Sequence, residues 1–573
     1  DGAVQSYQAL TLGSLTISDA TTSVTLNEAV ATDTTLTITS GGTIVQQSNG
    51  AITAGGAVDI DAGSTIAINA AINTSSSASG TVDIDGTGTT TIASAGDINA
   101  GGAVAFGANK SGTLTTSGDI DTSNDNITFT RAVTLGGNVD IDTTGASAGN
   151  ILFSSTIATA GNNLTLDGGT AGNVTLSGAL TGKGTMTVRD GAVQSYQALT
   201  LGSLTISDAT TSVTLGGAVA TDAAVSITSG GTIVQDAVLT AGSTLTLNAE
   251  GGVDLNQNVT SAGATVIDTD TGDDGTGDFD LASSKTLTTT NNTLQITAND
   301  ILLSGSLSSG SSTTTLLVSD DGTIGVGDTS RDMSISTAEL GRMTASTLTI
   351  GASSGTGHIT VDNLATGNTS NLSTKLALVT NNDISFLNNA SAFGLALDVD
   401  AGGTIAINVG INTSSSSSGT VDIDGTGTTT IAAAGDINAG GAVSFGAAKS
   451  GTLTTSGDIV TSNDNITFTQ AVTLGGNVDI DTTGASAGNI LFSSTIATAG
   501  NNLTLDAGTA GNVTLSGALT GGGAMTVRDG EVQSYAVLTV DSLTSSEATT
   551  SGTVGGVLTA DGAVDIDSGG TIA

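Results

Sequence analysis

The chain repeats long stretches of its own sequence. Residues 1–26 recur without a change at 190–215, and a drifted copy opens at Asp529. The segment 62–196 returns at 401–535 with only scattered substitutions. Repetition of whole segments predicts an architecture in which similar units stack on one another, and it argues against a single globular enzyme.

The spacing of these copies divides the chain into repeat blocks. We place the blocks at 1–189, 190–528 and 529–573. The middle block is longer because 236–400 is an insert that largely lacks a counterpart elsewhere. Copies this similar predict that the chain is a section of a longer array.

Composition selects strands over helices. The chain has 573 residues with 82 Gly, no Pro, Cys or Trp, and only 2% aromatic residues. Its 37% hydrophobic residues and mean hydropathy of +0.23 are too high for a disordered chain. Most apolar residues are Val, Ile and Leu flanked by Thr, and no segment has the three-and-four spacing of an amphipathic helix. The sequence therefore predicts an all-β protein.

Short strand-like sequence motifs, called words below, recur with a second, shorter period. Phe106, Phe129 and Phe153 end the words AVAF, NITF and NILF, one period of about 23 residues apart. An apolar residue lies two positions before each phenylalanine. This alternation is typical of a strand with one buried and one solvent-exposed face. The same period recurs in the later copy, as Phe445, Phe468 and Phe492. We extend the first ladder through the same position of neighbouring words, namely Leu12, Ile38, Ile60, Ile84, Leu176, Leu201, Ile227, Leu247 and Ile267.

A parallel β-solenoid accounts for this period. Each coil of about 23 residues would contribute two or three short strands, and like residues would stack about 4.8 Å apart. About 25 such coils would form a rod on the order of 120 Å long. We expect the phenylalanines to stack in the core rather than to form a ligand platform.

Asparagine and proline usage fits the same architecture. Asn126, Asn150 and Asn173 each precede a strand of successive coils, and they predict an amide ladder that joins coil to coil. Proline is absent because each backbone N–H is needed by a neighbouring coil. No cap is evident at either terminus, so we expect either that the native chain continues or that subunits stack end to end into a fibre.

The charge balance restricts the partners. Ten Lys plus Arg stand against 52 Asp plus Glu, for a formal net charge of −42. A nucleic acid is therefore not an expected partner, since its phosphates attract the opposite sign. No stretch approaches the roughly 20 apolar residues of a membrane span. We expect divalent cations to gather around so acidic a chain.

The repeat style resembles a known family. The words GDINAGGAV, NNLTLDGGTAGNVTLSGALTG and TAELGRMTASTLTIGASSGTGHITV look like the repeat region of filamentous-haemagglutinin-type exoproteins. Those proteins are secreted bacterial adhesins that fold as right-handed parallel β-helices. The resemblance covers essentially all 573 residues. It implies a right-handed β-helix, an extracellular or bacterial cell-surface location, and a role in adhesion.

Asp pairs recur in the VDID words. Residues two apart share a strand face, so we expect each pair to point outward, either as a solvated surface or as ligands of a hard cation. The pairs are Asp59 with Asp61, Asp83 with Asp85, Asp140 with Asp142, Asp422 with Asp424, Asp479 with Asp481, and Asp565 with Asp567.

The densest acidic run, DTDTGDDGTGDFD, spans 268–280. It departs from an EF-hand loop because Gly272 takes the fifth place and Phe279 stands where the terminal Glu should be. Carboxylate oxygens are the ligands that Ca²⁺ prefers, and an acidic surface loop is the alternative interpretation. The candidate calcium ligands are Asp268, Asp270, Asp273, Asp274 and Asp278. No cofactor is expected to be required, with Ca²⁺ as the one candidate.

The chain lacks the usual residues of a catalytic centre. His358 is its one histidine, and GHITV predicts an outward or turn position for it. Carboxylate pairs occur throughout, so no single pair indicates glycoside hydrolysis. Tyr7, Tyr196 and Tyr535 lie in equivalent VQSY words, where we expect exposure, but they are too scattered for a carbohydrate-binding surface. We predict that the chain is not an enzyme.

The sequence as a whole favours a structural role. We expect a stiff β-helical stalk in an extracellular fibre, used in adhesion or in contact between cells or with a matrix, with self-association into fibres. Two alternatives stay open. An ice-binding solenoid would need a continuous double file of outward Thr, and a polysaccharide-degrading β-helix enzyme would need one acidic cluster that cleaves a glycan.

Overall fold

The computed structural model describes residues 2–145, 149–484 and 488–573. Nearly all regular structure in these ranges is β-strand, joined by tight turns. The helices described are an α-helix, Thr337–Leu340, and a 3-10 helix, Thr366–Thr369, and both lie in the 236–400 insert. The prediction of an all-β chain is confirmed.

Short strands of alternating burial build the fold. In Val104–Phe106 the two outer side chains are buried and Ala105 between them is half-buried, so three residues suffice to define an inner and an outer side. Every described pairing between strands is parallel. Parallel pairing of consecutive coils is the β-solenoid that the sequence predicts.

The chain divides into two units. Unit 1 comprises Asp1–Gly272 and Thr276–Thr290, and unit 2 comprises Asp273–Gly275 and Asn291–Ala573. Each unit is a solenoid with three faces, and each face is a file of strands paired from coil to coil. We name the faces A, B and C in unit 1 and D, E and F in unit 2.

The strands of each face follow in pairing order. Face A contains Gly2–Tyr7, the second half of Leu15–Leu26, Thr43–Gln46, Ile66–Ile68, Thr90–Ile92, Leu114–Thr116, Val133–Leu135, Ile157–Ala158, Leu180–Thr181, Leu199–Leu201, Val219–Thr221, Leu239–Ala241, Val259–Ser261 and Thr286–Thr288. Face B contains the first half of Leu15–Leu26, Leu36–Ser40, Val58–Ala62, Val82–Gly86, Val104–Phe106, Ile127–Phe129, Ile151–Phe153, Val174–Leu176, the second halves of Thr185–Tyr196 and Ser203–Leu215, Thr232–Gln235, Val253–Leu255 and Phe279–Leu281. Face C contains Leu10–Leu12, Val30–Thr32, Ile52–Ala54, Ile72–Asn73, Ile98–Ala100, Ile120–Thr122, Val139–Asp142, Leu164–Asp167, the first halves of Thr185–Tyr196 and Ser203–Leu215, Val225–Ser229, Leu245–Ala249 and Thr265–Asp268.

Unit 2 repeats this plan. Face D contains Met333–Ile335, Ile324–Gly327, Ile359–Asp362, Ile384–Phe386, Ile405–Ile407, Thr428–Ile431, Thr452–Thr455, Ala471–Leu474, Ile496–Ala497, Leu519–Thr520, Leu538–Val540 and Leu558–Ala560. Face E contains Leu294–Ala298, Thr313–Val318, Met343–Ala352, Leu372–Thr380, Ala396–Ala401, Val421–Gly425, Val443–Phe445, Ile466–Phe468, Ile490–Phe492, Val513–Leu515, Gly530–Tyr535, the second half of Ser542–Val554 and Thr571–Ile572. Face F contains Ser306–Ser308, the start of Met343–Ala352, Ser391–Ala392, Ile411–Asn412, Ile437–Ala439, Ile459–Thr461, Val478–Asp481, Leu503–Asp506, Ala524–Val527, the first half of Ser542–Val554 and Val564–Ser568. Ile301–Leu303 lies beside Met333–Ile335 of face D.

Long strands that bend between two faces shorten the coil. Thr185–Tyr196 and Ser203–Leu215 each run through two faces without a turn. Tyr196 pairs with Leu176 before it and with Leu215 after it, so these coils have about 20 residues instead of about 23. The coils that follow keep this length, since Leu247 pairs with both Ile227 and Ile267. Before these strands the coils keep their length, and the predicted ladder is confirmed from Ile38 to Leu176.

Beyond those limits the predicted ladder is wrong as one continuous file. Ile227, Leu247 and Ile267 stack on one another as predicted, but on face C. Leu12 pairs with Thr32 on face C, and Tyr196, not Leu201, stacks on Leu176. The identical sequences 15–26 and 204–215 lie on different faces, because the stretch of chain that separates them is not a whole number of coils.

Candidate functional site in the ladders and acidic faces

Phenylalanine rings stack along the inside of both units. The ring centroids of Phe106 and Phe129 are 5.1 Å apart, with an interplanar angle of 5°. Those of Phe445 and Phe468 in unit 2 are 5.2 Å apart, with an angle of 1°. These side chains are essentially fully buried. The prediction of core stacking is confirmed, and offset stacking adds to the stabilisation from burial.

Asparagine side chains join successive coils at one turn. Asn126 Oδ1 accepts hydrogen bonds from the backbone N–H of Asn150 at 2.8 Å and from its Nδ2 at 3.1 Å. The backbone N–H of Asn173 then donates to Asn150 Oδ1 at 2.8 Å, and that of Val193 donates to Asn173 Oδ1 at 3.1 Å. The predicted amide ladder is confirmed, and most of its bonds run from backbone N–H to side-chain oxygen.

Aspartate forms the same kind of ladder at another turn. The backbone N–H of Asp119 donates to Asp97 Oδ1 at 3.0 Å, and that of Asp140 donates to Asp119 Oδ1 at 2.8 Å. The residue needs only a short side chain with an acceptor oxygen, which Asn and Asp both supply. Each ladder satisfies backbone donors that lie where the strand pairing stops.

The VDID pairs mostly face outward, as predicted. Asp59, Asp61 and Asp83 are half-buried on the outer side of face B. Asp85 is the exception, with 1% exposure, and its counterpart Asp424 is 5% exposed. The expectation of an outward position is wrong for these two, because the backbone of the next coil covers each carboxylate: the N–H of Asn109 donates to Asp85, and that of Ala448 donates to Asp424.

Crowding on these faces changes their acid chemistry. Burial and the nearby carboxylates of Asp85, Asp59 and Asp61 raise the pKa of Asp83 to about 6. On face C, burial raises the pKa of Asp121 to about 6, and neighbouring carboxylates, Asp142 foremost, add to the shift. Charged oxygens stacked from coil to coil favour the uptake of protons or other cations.

The basic residues form a regular set of ion pairs that the sequence analysis did not predict. Arg189 lies 2.9 Å from Asp140, and Arg528 lies 3.3 Å from Asp479. Lys110 lies 3.0 Å from Asp61. In all three pairs the basic residue follows its aspartate at the same sequence separation, which corresponds to two coils. A search for opposite charges at twice the coil period would have found them.

One basic side chain is buried. Arg131 is 4% exposed, and its Nη2 lies 3.2 Å from Asp85 Oδ1. The guanidinium also donates to Thr90 Oγ1 at 3.1 Å and to the Ile84 carbonyl at 3.3 Å. Burial is the main reason that the pKa of Arg131 lies below its ordinary value, against the opposing effect of Asp85.

The candidate calcium ligands lie in varied environments. Asp270 is buried, and Asp268 is half-buried at the end of the strand Thr265–Asp268 in unit 1. Asp278 is half-buried directly before the strand Phe279–Leu281. Asp273 and Asp274, assigned to unit 2, are exposed. Within 2–145, 149–484 and 488–573, no group of three or more acidic or histidine side chains is arranged to hold a metal ion. Calcium binding at this loop stays a prediction.

The histidine and tyrosine predictions have opposite outcomes. His358 is exposed, as predicted, with Nδ1 3.5 Å from Asp383. Tyr196 and Tyr535 are buried, so the expectation of exposure is wrong for them. Each hydroxyl donates to the glutamine two residues earlier, at 2.6 Å in Tyr196 and 2.7 Å in Tyr535. Burial raises the pKa of both phenols.

A cavity in unit 2 was not foreseen from the sequence. It measures about 350 Å³ and is lined on one side by Asp273, Asp320 and Asp321. Gly351 and Gly357 contribute backbone to its wall. It lies in the insert, where no second copy of the sequence exists for comparison.

Comparisons with known proteins return no match. No family model, no curated protein and no solved structure matches the chain. In the part of the chain that the structure describes, no helix is both long and apolar enough to cross a membrane. The function must therefore be inferred from the ladders, ion pairs and acidic faces themselves.

Proposed function

We propose that the chain is a structural stalk of an extracellular or cell-surface fibre. It acts as a stiff spacer in adhesion, either between cells or between a cell and a matrix. The observation that carries this proposal is the parallel pairing of same-face strands from coil to coil within each unit. Backbone hydrogen bonds, Asn ladders and stacked rings all run in the direction in which coils are added.

Two further features support a mechanical role. Ion pairs such as Lys110 with Asp61 and Arg189 with Asp140 each tie a coil to the second coil before it. The same pairs recur in the second copy of the repeat, as in Arg528 with Asp479. A stalk needs this repetition of contacts from coil to coil, whereas a catalytic centre needs one special arrangement of residues.

The acidic exterior supports self-association controlled by cations. A net charge of −42 keeps chains apart at low salt, and divalent cations bridge the outward carboxylates of neighbouring chains. Fibre formation would then depend on calcium or magnesium, without any cofactor in the fold itself.

The ice-binding alternative has weaker support. On face A the outward residues Thr91, Thr115 and Thr134 are followed by Ala158, and the file is thus interrupted. Three-residue strands present one outward side chain per coil, as the burial pattern of Leu114–Thr116 illustrates. A double file of threonine would need two.

A pair of deletions tests the stalk. Removing 82–173 joins Thr81 to Val174 and excises four whole coils of face B, since Val82 and Val174 hold the same position. We expect a folded chain whose length, measured by electron microscopy or X-ray scattering, falls by about 19 Å at about 4.8 Å per coil.

The matched control removes 82–163 and joins Thr81 to Leu164. A strand of face C then follows where a strand of face B belongs, so the deletion is not a whole number of coils. This deletion should aggregate or unfold. Compact particles whose longest dimension ignores the in-step deletion would contradict the proposal. Labelling intact cells of the source organism with an antibody tests the location, and signal only after permeabilisation would contradict it. Turnover of any glycan by the purified chain would favour the enzyme alternative.

A further inference from the structure

The two copies of the repeat differ at one buried position. Arg131 of the first copy corresponds to Gln470 of the second. The guanidinium of Arg131 satisfies three acceptors, namely Asp85 Oδ1, the Ile84 carbonyl and Thr90 Oγ1. Glutamine carries no charge and is too short to make the same contacts.

The acceptors persist in the second copy. Asp424 is 5% exposed, and Thr429 is fully buried. Thr429 Oγ1 has no hydrogen-bond partner among the described residues, and neither do Oε1 and Nε2 of Gln470, although that residue is only 6% exposed. Asp424 Oδ1 accepts the backbone N–H of Ala448 at 3.1 Å. An unpaired buried polar atom costs about 1–3 kcal/mol, so these atoms call for a partner.

The backbone around the acceptors is the same in both copies. A Cβ built on Gly86 would lie 3.2 Å from Thr90 Oγ1, and one built on Gly425 would lie 3.1 Å from Thr429 Oγ1. The site in the second copy has thus not closed to compensate for the shorter side chain.

Gln470 occupies only the first part of the space that Arg131 fills. A Cβ on Gly107 would collide with Arg131 Nε, and a Cβ on Gly446 would lie 2.8 Å from Gln470 Oε1. Both glycines have positive φ, +81° and +70°, and leave room for the side chain that crosses them. The amide of Gln470 therefore ends about where the guanidinium of Arg131 begins.

The electrostatic difference is one positive charge at the buried carboxylate. In the second copy Lys449 pairs with Asp400, and Lys375 lies 2.6 Å from Asp398. Neither pairs with Asp424, and no ion pair of Asp424 exists among the described residues. A buried carboxylate without a cation is strongly destabilising.

We propose that Asp424, Thr429 and Gln470 bind a monovalent metal cation, Na⁺ or K⁺, where the first copy holds the guanidinium of Arg131. The available ligands are a carboxylate, a hydroxyl, an amide oxygen and the Ile423 carbonyl, and hard cations prefer oxygen ligands. One charge is missing, which selects a monovalent ion. Gln470 lines an open pocket of about 750 Å³, which gives the ion a route from solvent. The site is independent of the stalk proposal.

The two copies supply their own test variants. Gln470→Arg restores the first copy's arrangement and should abolish the site. Arg131→Gln should create a second site beside Asp85. Each variant places in one copy the residue that the other copy already carries at that position, and the surrounding backbone is the same in both. The probe is rubidium, which replaces K⁺ and is located by its anomalous scattering in crystals of the full chain and counted by equilibrium dialysis.

The expected result is a saturable rubidium site beside Asp424 in the wild type, none there in Gln470→Arg, and an additional site in Arg131→Gln. Competition by Na⁺ or K⁺ at constant ionic strength supports the same assignment. Equal rubidium binding in the wild type and Gln470→Arg would indicate a diffuse ion atmosphere and overturn the proposal. Water alone beside Asp424, or occupancy by Ca²⁺ but not by monovalent ions, would also overturn it.

Discussion

The ring centroid of Phe153 lies 4.2 Å from that of Phe129, at an interplanar angle of 7°, and the centroid of Phe492 lies 4.3 Å from that of Phe468 at 10°. The same contact is thus built twice from two copies of one sequence. In each copy the strand pairing sets these residues in direct register, so the backbone fixes where the rings meet.

The middle ring of each trio should carry the largest packing energy. Phe129→Ala should lower the free energy of unfolding by about 3–5 kcal/mol, because it opens a cavity between two other rings. Phe468→Ala should have the same effect in the second copy. The outward Thr128→Ala is the control and should change stability by less than about 0.5 kcal/mol. Urea unfolding measures both, and equal effects at 128 and 129 would contradict the stacked core.

The asparagine ladder should depend on an acceptor oxygen, not on the amide itself. Asn150→Ala removes the acceptor for the N–H of Asn173 and should cost about 1 kcal/mol. Asn150→Asp keeps the oxygen, as Asp119 does in the parallel ladder, and should cost less. Hydrogen exchange at the Asn173 amide should accelerate in the alanine variant. An unchanged exchange rate at this amide would contradict a stabilising role for the hydrogen bond between Asn173 and Asn150.

The buried and exposed ion pairs should differ sharply. Arg131→Met leaves Asp85 buried without its cation and should cost about 3–5 kcal/mol. Arg189→Met removes a pair whose arginine side chain is 49% exposed, and it should cost about 0–1 kcal/mol. Adding Asp85→Asn to Arg131→Met should recover much of the loss. Similar costs for the two arginine variants would contradict the assigned burial.

Stability should rise as the solution becomes mildly acidic. The pKa of Asp121 is raised from 3.8 to about 6, so the folded state binds this proton more tightly than the unfolded state. The resulting stabilisation is present at about pH 4 and is lost as the pH rises through about 6. Asp83 should act in the same direction.

Asp121→Asn should therefore be more stable than the wild type at pH 7 and should show a weaker pH dependence. The second copy has Val460 at the matching position, so Val460→Asp should strengthen the dependence. Thermal unfolding between pH 4.5 and pH 7.5, at about constant ionic strength, measures both variants. A wild type that loses stability steadily on acidification over this range would contradict the assignment.

Particular residues mark how far the sequence could be followed. The phenylalanine trio and the Asn126 ladder were predictable because identical residues at one period must stack in any solenoid. The ladder failed at Leu12 and Leu201, where long strands bend between faces and change the number of residues in a coil. The sequence period gives only the average number of residues in a coil. The residue types do not reveal where a continuous strand replaces a turn.

The sequence alone determined the parallel β-solenoid, since alternating burial, repeated words and the lack of proline admit few other arrangements. Only the tertiary structure decided which side chains far apart in the chain would meet. It buried Tyr196, paired Arg131 with Asp85 and left the amide atoms of Gln470 without a hydrogen-bond partner among the residues that the structure describes. The physical reason is that the partners of a buried side chain come from the coils on either side of its own. A shift of one residue in the strand pairing therefore replaces the partners on both sides.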